Sequence, residues 1–253
     1  SLQTGVLKQL RELMLGGNPI GPNGALALAD ALRADAPRVQ LELLQLGQTR
    51  VGDVGGEALA QALLRSDSLK HLELQDAGLG GRAASALAYS LRSGAPLAGL
   101  WLGGNRLTPP GLAALAHSIS SNMSLRRLWL DDVGMTSEAG CAFAAVLGRP
   151  SCAIEQLWLG SNALSDGVAS ALAAALPHAS SLRKLWVNDN AFSCDAEHAL
   201  LKAALHQESS LTHLWLGGRT VNDASRQVLK ETLANSSRDG SPQSGPKLYL
   251  QLS

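Results

Sequence analysis

Five tryptophans stand at Trp101, Trp129, Trp158, Trp186 and Trp215, and the other 248 of the 253 residues include none. Their successive spacings are 28, 29, 28 and 29 residues. A residue this rare and this regular is placed by a repeating scaffold, which presents the same chemistry several times over. Indole offers a large apolar face, one N–H donor and a ring quadrupole that attracts cations. That is the chemistry of recognition rather than of proton or electron transfer. The neighbours recur too. Arg127, Lys184 and His213 each stand two residues before a tryptophan, with Lys70, His71, Arg126 and Arg183 in matching upstream places. Asp131, Asp132 and Asp189 follow a tryptophan by two or three residues, and Asp76 has the same place one repeat earlier. One surface with a basic flank, an aromatic middle and an acidic flank is expected. Gly103, Gly160 and Gly217, two residues after a tryptophan, are expected to leave the floor beside the rings open.

Other reactive side chains do not converge. His71 and His213 share a repeat position but lie five repeats apart, roughly 24 Å by strand spacing, too far to share a metal. His117, His178, His198 and His206 fall in helical stretches or at their ends. Asp131 and Asp132 are adjacent on a strand and so point to opposite sides. Cys141, Cys152 and Cys194 form no CxxC pair, which excludes a zinc ribbon or a disulfide framework and fits a reducing, cytoplasmic setting. The glycines of residues 78–81, GLGG, belong to a turn, and no GxxxxGK[ST] loop is present. No nucleophile, base and orienting group come together, so neither an enzyme nor a cofactor is expected.

The scaffold is legible as an internal repeat. A segment of form L-x-x-L-x-L starts at Leu10, Leu41, Leu69, Leu97, Leu125, Ile154, Leu182 and Leu211. Copies read LRELMLGGNPI, LAGLWLGGNRL, IEQLWLGSNAL and LRKLWVNDNAF. Numbered from the first apolar residue, positions 4 and 6 point to one side of a short strand and positions 3, 5 and 7 to the other. All five tryptophans occupy position 5, where earlier copies have Met14, Gln45 and Glu73. A degenerate ninth copy, KLYLQL, would extend the column with Tyr249. Asn18, Asn105, Asn162 and Asn190 occupy position 9, where an amide can bind the turning backbone; Thr49, Ala77, Val133 and Arg219 interrupt that series. Each strand is followed by an Ala-rich stretch such as GLAALAHSIS with apolar residues at i, i+3, i+4 and i+7, a helix pattern. Thr108, Thr136, Ser165 and Asn222 stand at the expected helix starts. Strand and helix repeated in parallel bury their faces only by stacking. One elongated domain over 1–253 follows, with a flexible loop at 235–246, NSSRDGSPQSGP.

These repeats resemble the ribonuclease-inhibitor type of leucine-rich repeat, the class of ribonuclease inhibitor, the Ran GTPase-activating protein and the repeat domains of NOD-like receptors. The resemblance implies an α/β horseshoe solenoid, parallel sheet on the concave face and helices on the convex face. It also implies a protein or peptide partner on the concave face. Three cysteines depart from the cysteine-rich inhibitor itself. Arg11 is the nearest candidate for the Ran activator's arginine, but its surroundings do not match.

Net charge is zero, from 21 basic and 21 acidic residues, which argues against a nucleic-acid or anionic-membrane partner. No apolar run reaches the ~18 residues of a bilayer span. The opening, SLQTGVLKQLREL, lacks both Met and a signal pattern and reads as part of a longer chain. Two readings of the column stand side by side. Five open indoles would offer roughly 400–600 Å² of aromatic surface to a protein, a glycan or a proline-rich peptide, or to an enzyme such as a small GTPase. Alternatively the rings stack on one another, copied by repeat duplication, and stiffen the sheet. A second copy or a further domain resting on them is a third possibility.

Overall fold

A computed structural model describes residues 10–33, 40–217, 227 and 231, together with a last strand at 249–252. The strands are β1 Glu12–Met14, β2 Leu43–Gln45, β3 His71–Glu73, β4 Gly99–Trp101, β5 Arg127–Trp129, β6 Gln156–Trp158, β7 Lys184–Trp186, β8 His213–Leu216 and β9 Tyr249–Leu252. The helices between them are α1 Gly21–Arg33, α2 Gly52–Leu63, α3 Gly81–Arg92, α4 Pro109–Ile119, α5 Ser137–Leu147, α6 Asp166–Ala175 and α7 Cys194–Ala204. The strands form one parallel sheet in chain order, so the solenoid expected from the repeat is the fold observed. The helix expected after Asn222, the position-9 residue Arg219 and the loop at 235–246 lie outside the described residues.

Identical repeat positions pair across the sheet, as in Leu72↔Leu100, Leu128↔Leu157 and Leu157↔Leu185. The leucines at positions 4 and 6, such as Leu100, Leu102, Leu128 and Leu130, are fully buried against helix residues such as Ala84, Leu87, Leu112 and Leu115. Each such leucine stabilises the fold by ~1.5–3 kcal/mol relative to exposure. Ala-rich helices let the outer layer close up. At Gly111 even a methyl group would lie 2.7 Å from the Ala84 Cβ, so α3 and α4 meet at a distance that only glycine permits. Among the described residues no helix is long and apolar enough to cross a membrane.

The repeats are also tied to one another at the helix starts. Thr136 caps α5 by accepting from the Ala139 N–H at 3.3 Å, as its position led one to expect. Ser165 and Thr108 do not cap: the Ser165 hydroxyl lies 2.9 Å from that of Ser137, and Thr108 has φ 57°. At α3 the cap comes from the preceding repeat. Asp53 in α2 accepts from the N–H groups of Gly80 and Ala83, at 2.7 and 3.0 Å, and so caps α3. Asp166 in α6 accepts from the N–H of Ser193 at 2.7 Å, and the Ser193 hydroxyl in turn caps α7 by accepting from the Ala196 N–H at 3.3 Å.

After each strand the chain turns through position 8. Gly17, Gln48, Asp76, Gly104, Asp132, Ser161 and Asp189 all sit there with φ between 51° and 73°. Gly, Asp and Asn tolerate this left-handed region best, which accounts for aspartate at three of the seven places. Position 9 then pins the turn. The Asn162 amide donates to the carbonyls of Leu130 and Leu159, at 2.8 and 3.2 Å, while its oxygen accepts from the N–H groups of Val133 and Met135, at 3.0 and 3.1 Å. Asn190 repeats this, donating to Leu159 and Val187 and accepting from Asn162 and Leu164. Thr49 keeps part of the pattern with one hydrogen bond to the Leu46 carbonyl.

Candidate functional site: the inner face of the sheet

Alternation along each strand sends positions 3, 5 and 7 away from the helices. The five tryptophans stand on that face, each partly buried. The backbone holds them in register, Trp101↔Trp129↔Trp158↔Trp186↔Trp215. Their carbonyls accept from the preceding strand, for example from the N–H groups of Leu130 and Leu159 at 2.9 and 2.8 Å.

The rings stack. Trp158–Trp186 and Trp186–Trp215 have centroids 4.1 Å apart with planes 11° and 12° from parallel. Strands lie ~4.8 Å apart, so the ring tips are closer together than their backbones, as the inside of a curve requires. Trp129–Trp158 is looser, at 5.7 Å and 19°. Trp129 leans over Gly103, where a Cβ would come within 3.2 Å of its Nε1, and that nitrogen donates to the Asp131 carboxylate. Trp101 turns the other way. It folds over Gly99, where a Cβ would be 2.3 Å from its ring, and meets the His71 ring edge-on at 5.7 Å. The continuous ladder therefore has four indoles, with the His213 ring stacked on Trp215 at 5.4 Å and 11° and Trp101 standing apart. Ring faces are spent on one another instead of lying open. Tyr249 does not extend it: β9 pairs Gln251 with Trp215 and Tyr249 with His213, one alternation off the column.

The flanks also differ from expectation. Position 2 is an alternating row: Arg11, Glu42, Lys70, Ala98, Arg126, Glu155, Arg183. Arg11 pairs with Glu42 at 3.1 Å and Arg126 with Glu155 at 3.3 Å. Pairing with Glu155 thus takes Arg126 out of the basic flank. The flank keeps His71, Arg127, Lys184 and His213 at position 3 and, at position 2, Lys70 and Arg183, which donate to the carbonyls of Asp67 and Ser180. Burial lowers the pKa of His71, helped by the Arg127 charge and opposed by Glu42; burial, then Lys184, lowers that of His213. Both shifts disfavour the charged imidazole. At position 3, Arg127 and Lys184 supply the positive charge.

The acidic flank divides similarly. Asp76, Asp132 and Asp189 serve the left-handed turn, and the Asp189 carboxylate accepts from the Asn188 amide at 2.7 Å. Asp131 turns inward at position 7. It accepts from the Gly160 N–H at 2.6 Å and from Trp129, yet burial outweighs both and, with the Asp189 charge adding, pushes its pKa up to about 6. Burial raises Glu73 too, against a bond from Gln75. Position 7 alternates Gln75, Gly103, Asp131, Gly160, Asn188, Gly217, each longer side chain covering a neighbouring glycine. A Cβ on Gly160 would lie 3.2 Å from an Asp131 carboxylate oxygen and 3.4 Å from the Asn188 amide oxygen. The floor beside the rings is filled, not open. Both alternations were readable in the aligned repeats, as columns of single positions.

A profile described as Leucine Rich repeat matches residues 8–29 and 66–88. Ribonuclease inhibitor of Sus scrofa is 28% identical over 228 residues, covering 90% of this chain and 43% of that protein. The chain is a leucine-rich-repeat solenoid similar to proteins of the ribonuclease-inhibitor type. A second relative of this leucine-rich-repeat protein is the NACHT, LRR and PYD domains-containing protein 12 of Mus musculus, 30% identical over 181 residues, 71% of this chain and 14% of that one. The chain thus spans less than half the length of either relative. Among solved structures, leiomodin-1 actin-binding site 2 aligns with a TM-score of 0.48 at 16% identity, over 59% of this chain and 87% of that chain, a partial likeness.

Proposed function

We propose that this leucine-rich-repeat protein is a protein-binding module, without catalytic activity, that takes its partner on the inner face of the sheet along the tryptophan ladder. The observation that carries this is the four-ring stack of Trp129, Trp158, Trp186 and Trp215, a rigid aromatic ridge held by backbone register. Preorganised aromatic groups lose little entropy on binding and are favoured in interface hot spots. Stacking favours one use of the ridge. A partner meets indole edges, against which aliphatic side chains pack well, whereas a sugar or proline ring needs an open aromatic face. This favours a protein surface over a glycan or a polyproline helix. A reducing, cytoplasmic setting suits the three unpaired cysteines.

Affinity capture with the wild type and with a Trp158→Ala/Trp186→Ala variant tests the reading, with circular dichroism confirming that the variant keeps its fold. A partner held by the wild type and lost by the variant supports it. A partner held by both but lost on substituting the outer-face residues Val54 and Tyr89, which are 49% and 56% exposed, puts binding on the helices and overturns it.

A further inference from the structure

Many charges among the described residues have a structural role. Arg11–Glu42 and Arg126–Glu155 are ion pairs between neighbouring repeats, and Arg82 pairs with Glu57 at 2.6 Å on the outer surface. Asp53 caps α3 and Asp166 holds Ser193, the cap of α7. Asp76, Asp132 and Asp189 occupy left-handed turns, and Asp131 satisfies Gly160 and Trp129. On the inner face of the sheet, Arg127 and Lys184 stand apart from these. Arg127 and Lys184 have neither an ion pair nor a side-chain hydrogen bond among the described residues, and their charges act on His71 and His213, whose protonation they oppose. Both lie mid-sheet at position 3, on strands where lysine is intrinsically disfavoured. Both stand two residues before a ladder tryptophan, with Gln156 in register between them.

We infer that the inner face takes an acidic, extended protein segment that crosses the strands, its carboxylates on Arg127 and Lys184 and its apolar side chains on the tryptophan edges. This rests on the proposed binding face and specifies its ligand. The spacing is informative. Arg127 and Lys184 are two strands apart, ~9.6 Å at the backbone and somewhat less at the tips. A polyproline-II-like chain returns to the same side every three residues, ~9.3 Å. Carboxylates at i and i+3 therefore meet the two cations in turn, with the Gln156 amide between them. The adjacent side of the segment lies over position 5, roughly 6.6 Å along the strand, where the indole edges are. Across the ladder the Asp131 and Asp189 carboxylates already accept hydrogen bonds from within the protein, so a basic segment is less well served there.

The probe is a blocked peptide of about 12 residues in which Glu-Leu-Ser repeats, so that glutamates fall on every third residue. Its affinity for the full chain is read by tryptophan fluorescence and calorimetry, beside peptides with Lys or Gln for Glu and one with the same glutamates clustered at one end. The inference expects the periodic Glu peptide to bind at least about tenfold more tightly than the Lys peptide, and to weaken as salt rises from about 50 to about 300 mM. Arg127→Gln with Lys184→Gln should weaken it about five- to tenfold, towards the Gln peptide, with thermal stability unchanged. Equal binding of Lys and Glu peptides, an unchanged affinity in the double variant, or no binding of the periodic Glu peptide overturns the inference. A Gln peptide that binds as tightly as the Glu peptide and is lost in Trp158→Ala/Trp186→Ala overturns the acidic ligand alone and leaves the ladder as the binding face. Loss of no peptide in either variant overturns both.

Discussion

Replacing Asn162 with alanine is the sharpest test of how the inner face is held. Its amide oxygen serves two buried N–H groups, Val133 and Met135 at 3.0 and 3.1 Å, and its nitrogen serves the Leu130 carbonyl at 2.8 Å. All three belong to the preceding repeat, so Asn162→Ala strands three main-chain groups in a site that is 5% exposed. A buried polar group left unpaired costs ~1–3 kcal/mol, and partial relaxation around the site brings the expected total to about 3–5 kcal/mol. For a chain of this length that is a fall in Tm of roughly 6–20 °C. A repeat array does not always unfold in one step, so urea unfolding should be paired with amide hydrogen exchange, which resolves individual repeats. The amides of Val133 and Met135 should lose protection first. Asn18→Ala is the control: its amide donates to the Leu15 carbonyl at 3.0 Å in exposed surroundings, and the loss should stay below about 1 kcal/mol. If Asn162→Ala costs less than about 1 kcal/mol, or no more than Asn18→Ala, the main chain does not depend on this ladder and the reasoning fails.

Three further outcomes follow from the same geometry. The folded-state pKa of Asp131, about 6, lies above the ordinary 3.8, so its protonated form favours folding; that contribution is complete below pH ~4 and lost as pH rises through about 6. The shift converts to ~3 kcal/mol at most, and screening of a partly exposed group leaves about 1–2, measured as the difference in unfolding free energy between wild type and Asp131→Asn from pH 4 to 8; a flat difference rejects it. Gly99→Ala should push the Trp101 ring off its seat, because a Cβ there would lie 2.3 Å from the indole and 2.8 Å from His71 Nδ1; the indole N–H resonance of Trp101 alone should move, those of the four-ring stack staying put. Ala98→Glu fills the one neutral place between Lys70 and Arg126 in the alternating row and should raise Tm by about 1–3 °C at low salt, a gain that vanishes in about 1 M salt.

The repeat made the fold readable, because the Leu positions, the helix periods and the constant offset between copies all state the same architecture. Column membership was readable for the same reason: parallel in-register strands put Trp129, Trp158, Trp186 and Trp215 side by side. Rotamers were not. Trp101 and Trp129 occupy the same repeat position, yet one folds over Gly99 and the other over Gly103, a choice made by which neighbouring position lacks a Cβ. The register of β9 was hidden because KLYLQL fits the repeat in two ways one alternation apart, and pairing with β8 selects the one that sets Gln251 beside Trp215. A helix cap drawn from the previous repeat, as Asp53 is on α3, escapes any rule that looks for the cap next to its own helix.

The alternations at positions 2 and 7 make the structural unit two repeats long, in step with starting residues 28 and 29 residues apart in turn from Leu97 to Leu211. Excising residues 154–181 would set Arg126 against Arg183 and Arg127 against Lys184, and crowd Asp131 against Asn188 with no glycine between them. Excising 154–210 would bring Thr212 and Gly217 to the same seams, so that no like charges meet and a glycine again stands beside Asp131, although Arg126 loses Glu155. Chains of this kind should gain and lose length by duplication or deletion of paired cassettes, and anyone grafting, shortening or lengthening this solenoid should cut it at every second turn.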